Sequence, residues 1–110
     1  MRWYSIVPVA VLALALHAQA AAPASSSSTR HIDIRNFRFE PVRLVVPVGA
    51  TVTWTNHDEE PHVVTSAGTG FKSSPALDTG DHYSTLFTRP GTYAYFCSIH
   101  PQMTGTIVVR

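Results

Sequence analysis

The segment that decides the fold covers residues 92–109 and reads TYAYFCSIHPQMTGTIVV. It begins and ends with runs rich in β-branched and aromatic residues, at 92–96 and 104–109, and such runs are typical of strands. Between them, Cys97, His100 and Met103 recur at every third position. A loop of this pitch can curl around one point and direct three possible metal ligands toward it. The segment therefore predicts two strands joined by a loop that carries the candidate functional site.

Short strands of the same kind are spread over the rest of the chain. They are indicated around Ile32 and Ile34, and at residues 44–46, 51–55, 62–65 and 83–87. Turn signals separate them, and after residue 20 no helical apolar period persists for ten residues. This pattern predicts an all-β sandwich or barrel. Residues 66–82 are expected to form a long irregular segment around Phe71.

The first twenty residues have the layout of a signal peptide. Arg2 gives a basic start, residues 6–16 form an apolar run, and Ala18-Gln19-Ala20 is a small-x-small cleavage site. The run is too short to span a bilayer, which takes about 20 apolar residues. We therefore expect a periplasmic or secreted protein, cleaved near Ala20 and without a membrane span in the mature chain. Residues 21–29 (AAPASSSST) are predicted to be a flexible leader, and residues 30–110 the folded domain.

Charge and cysteine content restrict the possible functions. Eight Lys and Arg residues face seven Asp and Glu residues, and removal of Arg2 leaves seven of each. No basic stripe is present, which argues against a nucleic-acid partner. Cys97 is the sole cysteine, so it is either a buried inert thiol or a thiolate committed to a metal, and composition leaves both open. The sequence offers neither a nucleophile–base pair nor an open metal position for a substrate, so we do not expect an enzyme. We also expect a monomer.

The neighbours of Cys97 favour a metal site. His62, which follows Pro61 at the start of a predicted strand, is the best candidate for a fourth ligand beside Cys97, His100 and Met103. Two imidazoles, one thiolate and a weak thioether make up a blue-copper electron-transfer site, whereas Met is a poor ligand for zinc. The alternative for Met103 is core packing, the usual role of a lone Met. The remaining histidines of the mature chain, His31, His57 and His82, are expected at the surface, and the alternative for His57 is adventitious metal binding beside His62. The acidic turn at residues 58–60 is expected to be solvated, and the alternative is a recognition site for a basic partner.

The chain resembles the cupredoxin family, and within it the branch of amicyanins, pseudoazurins and plastocyanins. The matching stretches are FEP (39–41), VGATVTWTN (48–56), PH (61–62), PGTYAYFC (90–97) and the tail through Val109. The two-residue gaps on both sides of His100 match the short copper loop of amicyanins. The resemblance implies an eight-stranded Greek-key sandwich that binds one copper ion at one end. It also implies that electrons pass through an exposed His100, near which a protein donor and acceptor dock.

Two positions depart from the family pattern. Many cupredoxins place a polar side chain directly after the first histidine ligand, where it can tie the two ligand loops together, but this chain has Val63. Amicyanins surround the exposed histidine with apolar residues, whereas Glu60 and Gln102 stand there in this chain. A methylamine dehydrogenase partner therefore does not follow from the resemblance. Two functions suit the ligand set: an electron carrier between redox proteins, and a protein that stores or delivers copper.

Overall fold

Eight β-strands in two four-stranded sheets make up the fold of this computed structural model, which describes residues 1–17 and 28–110. The strands are β1 (Thr29–Arg35), β2 (Arg38–Glu40), β3 (Arg43–Val46), β4 (Thr51–Asn56), β5 (Thr65–Ser66), β6 (His82–Leu86), β7 (Gly91–Phe96) and β8 (Thr104–Val109). One sheet has the order β2-β1-β4-β6 and the other β3-β8-β7-β5. Neighbours are antiparallel except for β1 with β4 and β3 with β8. The predicted all-β Greek-key sandwich is confirmed.

The core lies between the two sheets because the strands alternate in polarity. In β4, Val52 and Trp54 are fully buried, while the threonines between them face outward and are only partly covered. Trp54 packs edge-on against Tyr95 of β7, with ring centroids 5.4 Å apart, so these two side chains join the sheets. Each fully buried large side chain of this kind contributes about 1.5–3 kcal/mol through the apolar area that it removes from water.

The predicted irregular segment is packed against the core rather than extended into solvent. The ring of Phe71 stacks on Trp54 at 5.9 Å, and it contacts Phe87 edge-on at 5.6 Å. Leu77 is buried as well and bridges to His62 through two backbone hydrogen bonds of 3.1 and 2.7 Å. The segment therefore adds Phe71 and Leu77 to the core and positions a predicted metal ligand, His62.

Two short strands differ from the sequence prediction. The three-residue β2 is too short to show an alternating pattern, so no strand is predicted there from the sequence. The strand predicted at 62–65 is reduced to Thr65–Ser66, because the preceding residues bond to the irregular segment instead of to a sheet. His62 pairs with Leu77, and the amide of Val64 donates to the Ser74 hydroxyl at 2.8 Å. Pairing in this part of the chain depends on distant residues that carry no strand signal.

The N-terminal predictions are only partly covered by the described residues. Residues 1–17 are exposed and have neither helix nor strand. The expected cleavage site at Ala18-Gln19-Ala20 and most of the expected leader lie outside the described residues. The last leader residue, Thr29, already belongs to β1, and the Ser28 carbonyl accepts a 3.1 Å hydrogen bond from the Thr51 amide. No helix in the described residues has the length and hydropathy needed to cross a membrane.

Candidate metal centre

The loop between β7 and β8 is closed by its own backbone. The Cys97 amide donates to the Met103 carbonyl at 3.0 Å, the His100 amide to the Cys97 carbonyl at 3.2 Å, and the Met103 amide to the His100 carbonyl at 2.9 Å. These bonds form two successive tight turns between strands that are already paired from Phe96 to Thr104. These turns account for the three-residue spacing of Cys97, His100 and Met103, in agreement with the loop predicted from the sequence.

Three of the predicted ligands meet at one end of the sandwich. The Cys97 Sγ lies 3.8 Å from Nδ1 of His62 and 3.8 Å from Nδ1 of His100, and the three donor atoms all lie within 4.8 Å of one another. Cys97 and His62 are fully buried, while His100 is half-buried and reaches the surface. One thiol and two imidazole nitrogens aimed at a common point form the donor set that suits copper.

Met103 lies under the same loop. Its side chain is 2 % exposed, and both its amide and its carbonyl are held by the loop turns. It packs within the core cluster that also contains Cys97. The structure thus buries Met103 at the end of the copper loop, in the same core cluster as the thiol.

Asp58 braces His62 from behind. The ring Nε2 of His62 donates to Oδ2 of Asp58 at 2.9 Å, which leaves Nδ1 directed at Cys97. The same carboxylate accepts hydrogen bonds from the amides of Asn36 at 2.7 Å and Phe37 at 2.9 Å. Burial by itself raises the pKa of Asp58, but the bonds from Phe37, His62 and Asn36 outweigh it, so the pKa is lowered. A carboxylate in this position orients a metal-binding imidazole and raises its basicity.

The expectation that residues 58–60 form only a solvated turn is wrong for Asp58. Its distance of four residues from His62 is a weak sequence signal, since its other partners are 21 and 22 residues away. Asn56 was missed for the same reason. Its buried side chain donates to the carbonyls of Glu60 and Leu77, each at 2.8 Å, and accepts from the Asp58 amide at 2.9 Å. Asn56 therefore holds the turn that presents both Asp58 and His62.

A backbone contact joins the two ligand loops at the position where the family pattern has a polar side chain. The Val63 amide donates to the Cys97 Sγ at 3.4 Å, and a side-chain oxygen or nitrogen is not needed for this bond. A hydrogen bond to a thiolate sulfur is one of the features that tune a blue-copper site. With Val63 the two ligand loops lack a side-chain hydrogen bond at this position, but the main-chain bond from Val63 to Cys97 still joins them.

Phe37 covers the outer side of the site. Its ring contacts those of His62 and His100 edge-on, with centroids 5.3 and 5.0 Å apart. The ring is nevertheless 41 % exposed. Asn36 and Phe37 both have positive φ, 51° and 56°, the backbone of a two-residue hairpin turn. Such a conformation costs a bulky residue about 1–2 kcal/mol, and the two hydrogen bonds to Asp58 hold it in place.

The other histidines lie outside the metal centre. His31 and His82 are exposed on strands of the β4 sheet. His57 is exposed and bonds through Nε2 to Asp33 at 2.7 Å. The group of possible metal ligands in the described residues consists of His62, Cys97 and His100.

Comparison with known proteins agrees with the class defined by the fold and the donor set, a copper-binding β-sandwich. The family described as a cupredoxin-like domain matches residues 6–109. The chain is 38% identical over 105 residues to amicyanin-alpha of Methylorubrum extorquens, covering 92% of this chain and 86% of the relative. It is 34% identical over 84 residues to plastocyanin of Scenedesmus fuscus, covering 66% of this chain and 86% of that relative.

Solved structures with the same fold include a cupredoxin and an amicyanin. A purple cupredoxin from Nitrosopumilus maritimus has a TM-score of 0.69 and 36% identity, covering 74% of this chain and 99% of that one. A reduced mutant amicyanin has a TM-score of 0.72 and 33% identity, covering 80% of this chain and 87% of that one. The chain belongs to the cupredoxin-like family, and its cofactor is copper, with His62, Cys97 and His100 in ligand positions.

Proposed function

We propose that this protein is an exported electron carrier that exchanges single electrons between redox proteins. In this proposal His62, Cys97 and His100 bind one copper ion, and Met103 is a weak fourth ligand. When bound, copper supplies a one-electron couple between Cu(I) and Cu(II). The observation that carries the proposal is the meeting of one thiol and two imidazoles, two of them fully buried and the third at the surface.

The residues around the donors support a carrier because they hold the donors in place. His62 is fixed by Asp58 and by the bridge to Leu77, and Cys97 is held by the loop turns and by the Val63 amide. A site whose ligands are locked by packing and outer hydrogen bonds moves little when its charge changes. Fast electron exchange requires a site of this kind.

His100 is the proposed point of electron entry and exit. It is the ligand that reaches the surface, and the exposed ring of Phe37 lies against it. We place the protein outside the cytoplasm on the basis of residues 1–20, and we propose a monomer without catalytic activity. The relatives support a carrier rather than an enzyme, since they are amicyanins and plastocyanins.

Substitution of the thiol tests the site. Cys97→Ser should abolish the intense blue charge-transfer absorption of the copper-loaded protein, because a hydroxyl oxygen does not replace the copper–thiolate bond. The matched control is Ser98→Ala in the same loop, at an exposed position, which should keep the full absorbance. Undiminished blue colour in Cys97→Ser would contradict the whole assignment.

Repeated redox cycling separates the carrier from a copper-delivery protein. The loaded protein should pass through many oxidation and reduction cycles with its copper retained, measured by voltammetry followed by metal analysis of the desalted protein. Release of copper in the reduced state to a competing chelator, at a rate comparable with electron exchange, would favour storage or delivery instead.

A further inference from the structure

The β1–β2 hairpin turn carries an exposed basic pair beside the copper ligands. Arg35 and Arg38 lie directly opposite each other where β1 pairs with β2. Both side chains point away from the core, since Ile34 and Phe39, their neighbours in the two strands, are the buried members. Phe37, in the turn between them, touches both His62 and His100. The basic pair therefore flanks the aromatic ring that covers the site.

This arrangement is unfavourable for the isolated protein. Like charges directly opposite each other on a sheet are destabilising. Within residues 1–17 and 28–110 the ion pairs are His57 with Asp33 and His62 with Asp58, so neither arginine is neutralised there. A like-charged pair next to a strained aromatic turn indicates a surface shaped for something other than stability.

A groove is shared by one member of the basic pair, Arg38, and the copper loop. It has a volume of about 200 Å³ and is lined by Phe37, Arg38, Phe39, Val42, Gln102, Met103 and Thr104. Arg38 thus lines the same groove as Gln102 and Met103 of the copper loop. An anionic group bound by Arg38 would lie next to the copper loop.

Asp33 and Glu40 lie opposite each other two positions farther from the turn, on the same face of the hairpin as the arginines. Asp33 is bound by His57 at 2.7 Å, and within the described residues neither carboxylate forms an ion pair with Arg35 or Arg38. The arginines stand at the turn and therefore nearer to the copper ligands than this acidic pair.

Asp58 is occupied by three internal hydrogen bonds. Glu59 and Glu60 are exposed in the next turn, but they do not line the groove. The chain without Arg2 has seven basic and seven acidic residues, so net charge supplies no attraction and recognition must be local.

We propose that the β1–β2 turn is the recognition surface for an acidic redox partner. Arg35 and Arg38 bind carboxylates that surround the partner's own redox centre, and Phe37 contacts its surface. Arginine suits this role because its guanidinium binds carboxylates in a two-pronged geometry. The inference rests on the proposed electron-carrier function and adds the charge of the partner.

Small charged reductants test the surface directly. Reduction of the oxidised, copper-loaded protein by ferrocyanide, an anion, and by hexaammineruthenium(II), a cation, is followed by stopped flow; each transfers one electron to copper. Arg35→Gln/Arg38→Gln should slow the ferrocyanide reaction about three- to tenfold at low ionic strength. The same variant should leave the ruthenium rate unchanged or higher. Voltammetry checks that its potential equals that of the parent.

The control removes the same charge at the opposite end of the sandwich. Arg89 and Arg110 are both exposed. Arg89 lies two residues before Gly91, and Arg110 follows Val109; Gly91 and Val109 pair at the end of β7 and β8 that is far from the copper loop. Arg89→Gln/Arg110→Gln should change the ferrocyanide rate much less than the first variant does. Equal slowing by both variants would overturn the proposal, because net charge would then explain the effect.

A protein probe tests the sign of the charge on the partner's docking surface. Basic cytochrome c and its succinylated, acidic form carry the same haem, and their potentials are measured alongside. The parent should react faster with the acidic form after correction for driving force, and Arg35→Gln/Arg38→Gln should remove that preference. A preference for the basic form that depends on Glu59→Gln/Glu60→Gln would overturn the proposal. Failure of the parent to exchange electrons with any reductant would overturn the carrier function as well.

Discussion

At the scale of single residues, Asp58 shows why the ligands could be predicted and their support could not. Cys97, His100 and Met103 are close in sequence, so their spacing alone indicates a site. Asp58 joins His62 to the turn at 36–37, and Asn56 joins the same region to Leu77, 21 residues away. Such contacts depend on how distant segments meet, and one sequence without its fold does not contain that information.

Met103, the proposed fourth ligand, gives a prediction for the reduction potential. Met103→Gln should lower the reduction potential while the copper site stays coloured, since an amide oxygen stabilises Cu(II) better than a thioether does. Met103→Leu should raise it, because the axial donor is lost and the surroundings become more apolar. Both side chains are similar in volume to Met and should preserve the fold. Cyclic voltammetry of both variants against the parent decides, and unchanged potentials would assign Met103 to packing alone.

Tyr95 gives a pH-dependent prediction. Burial raises the pKa of Tyr95 to about 12, with a smaller opposite effect from Trp54. The unfolded value is about 10, so the buried neutral phenol stabilises the fold fully below about pH 10, and this contribution is lost as the pH rises toward 12. Between about pH 10 and pH 12 the unfolding free energy of the parent should therefore fall by about 3 kcal/mol more than that of Tyr95→Phe.

Neutral pH supplies the control for Tyr95. Its hydroxyl is buried with no hydrogen-bond partner among the described residues. Tyr95→Phe should therefore be at least as stable as the parent at pH 8, by up to about 2 kcal/mol. Urea unfolding of the copper-free proteins at several pH values measures both effects. A parallel loss of stability in the two proteins above pH 10 would contradict the assignment to Tyr95.

At the scale of elements, the close pairing of β7 and β8 depends on a glycine. Gly105 lies opposite Tyr95, and a Cβ at Gly105 would overlap the Tyr95 ring. The ring has no room to move, because it packs edge-on against Phe39 at 4.7 Å and Trp54 at 5.4 Å. Gly105→Ala should therefore cost about 1–3 kcal/mol of unfolding free energy, the usual range for overpacking.

Gly68 is the matched control for Gly105. A Cβ at Gly68 meets nothing within 4 Å, and its backbone does not require glycine. Gly68→Ala should change the unfolding free energy by no more than about 0.5 kcal/mol. Urea unfolding of the two variants in the copper-free state makes the comparison. A Gly105→Ala protein as stable as Gly68→Ala would mean that the strands or the Tyr95 ring shift easily.

The length of a strand decides how well its bounds are predicted from the sequence. β4, β7 and β8 have at least six residues each and were predicted nearly at their observed bounds, because alternation needs several residues to be recognised. β2 and β5 have three and two residues, and their pairing is decided by neighbours in space. The strand at 62–65 was predicted too long because its β-branched residues have strand propensity, but the bonds to Ser74 and Leu77 compete with sheet pairing.

At the scale of the whole molecule, the copper site connects the two sheets of the sandwich. Cys97 is the only cysteine, so no disulfide within the chain links the two sheets. His62 comes from the connection after β4, in one sheet, whereas Cys97 and His100 follow β7 in the other. A small domain has a modest hydrophobic core, and a metal that links these segments should contribute noticeably to its stability.

Copper removal tests this contribution. A ligand that binds only the folded state at about 100 times its Kd adds about 2.7 kcal/mol. For a domain of this size that corresponds to a rise in Tm of about 10 °C or more. Calorimetry of the copper-free and copper-loaded protein should show this rise, and His57→Ala, which alters a histidine outside the site, should retain it. Cys97→Ser should lose most of the rise while its copper-free Tm stays near that of the parent. If the loaded and copper-free proteins melted at the same temperature, the copper ion would not link the sheets, and its binding would have to be weak or matched in the unfolded chain.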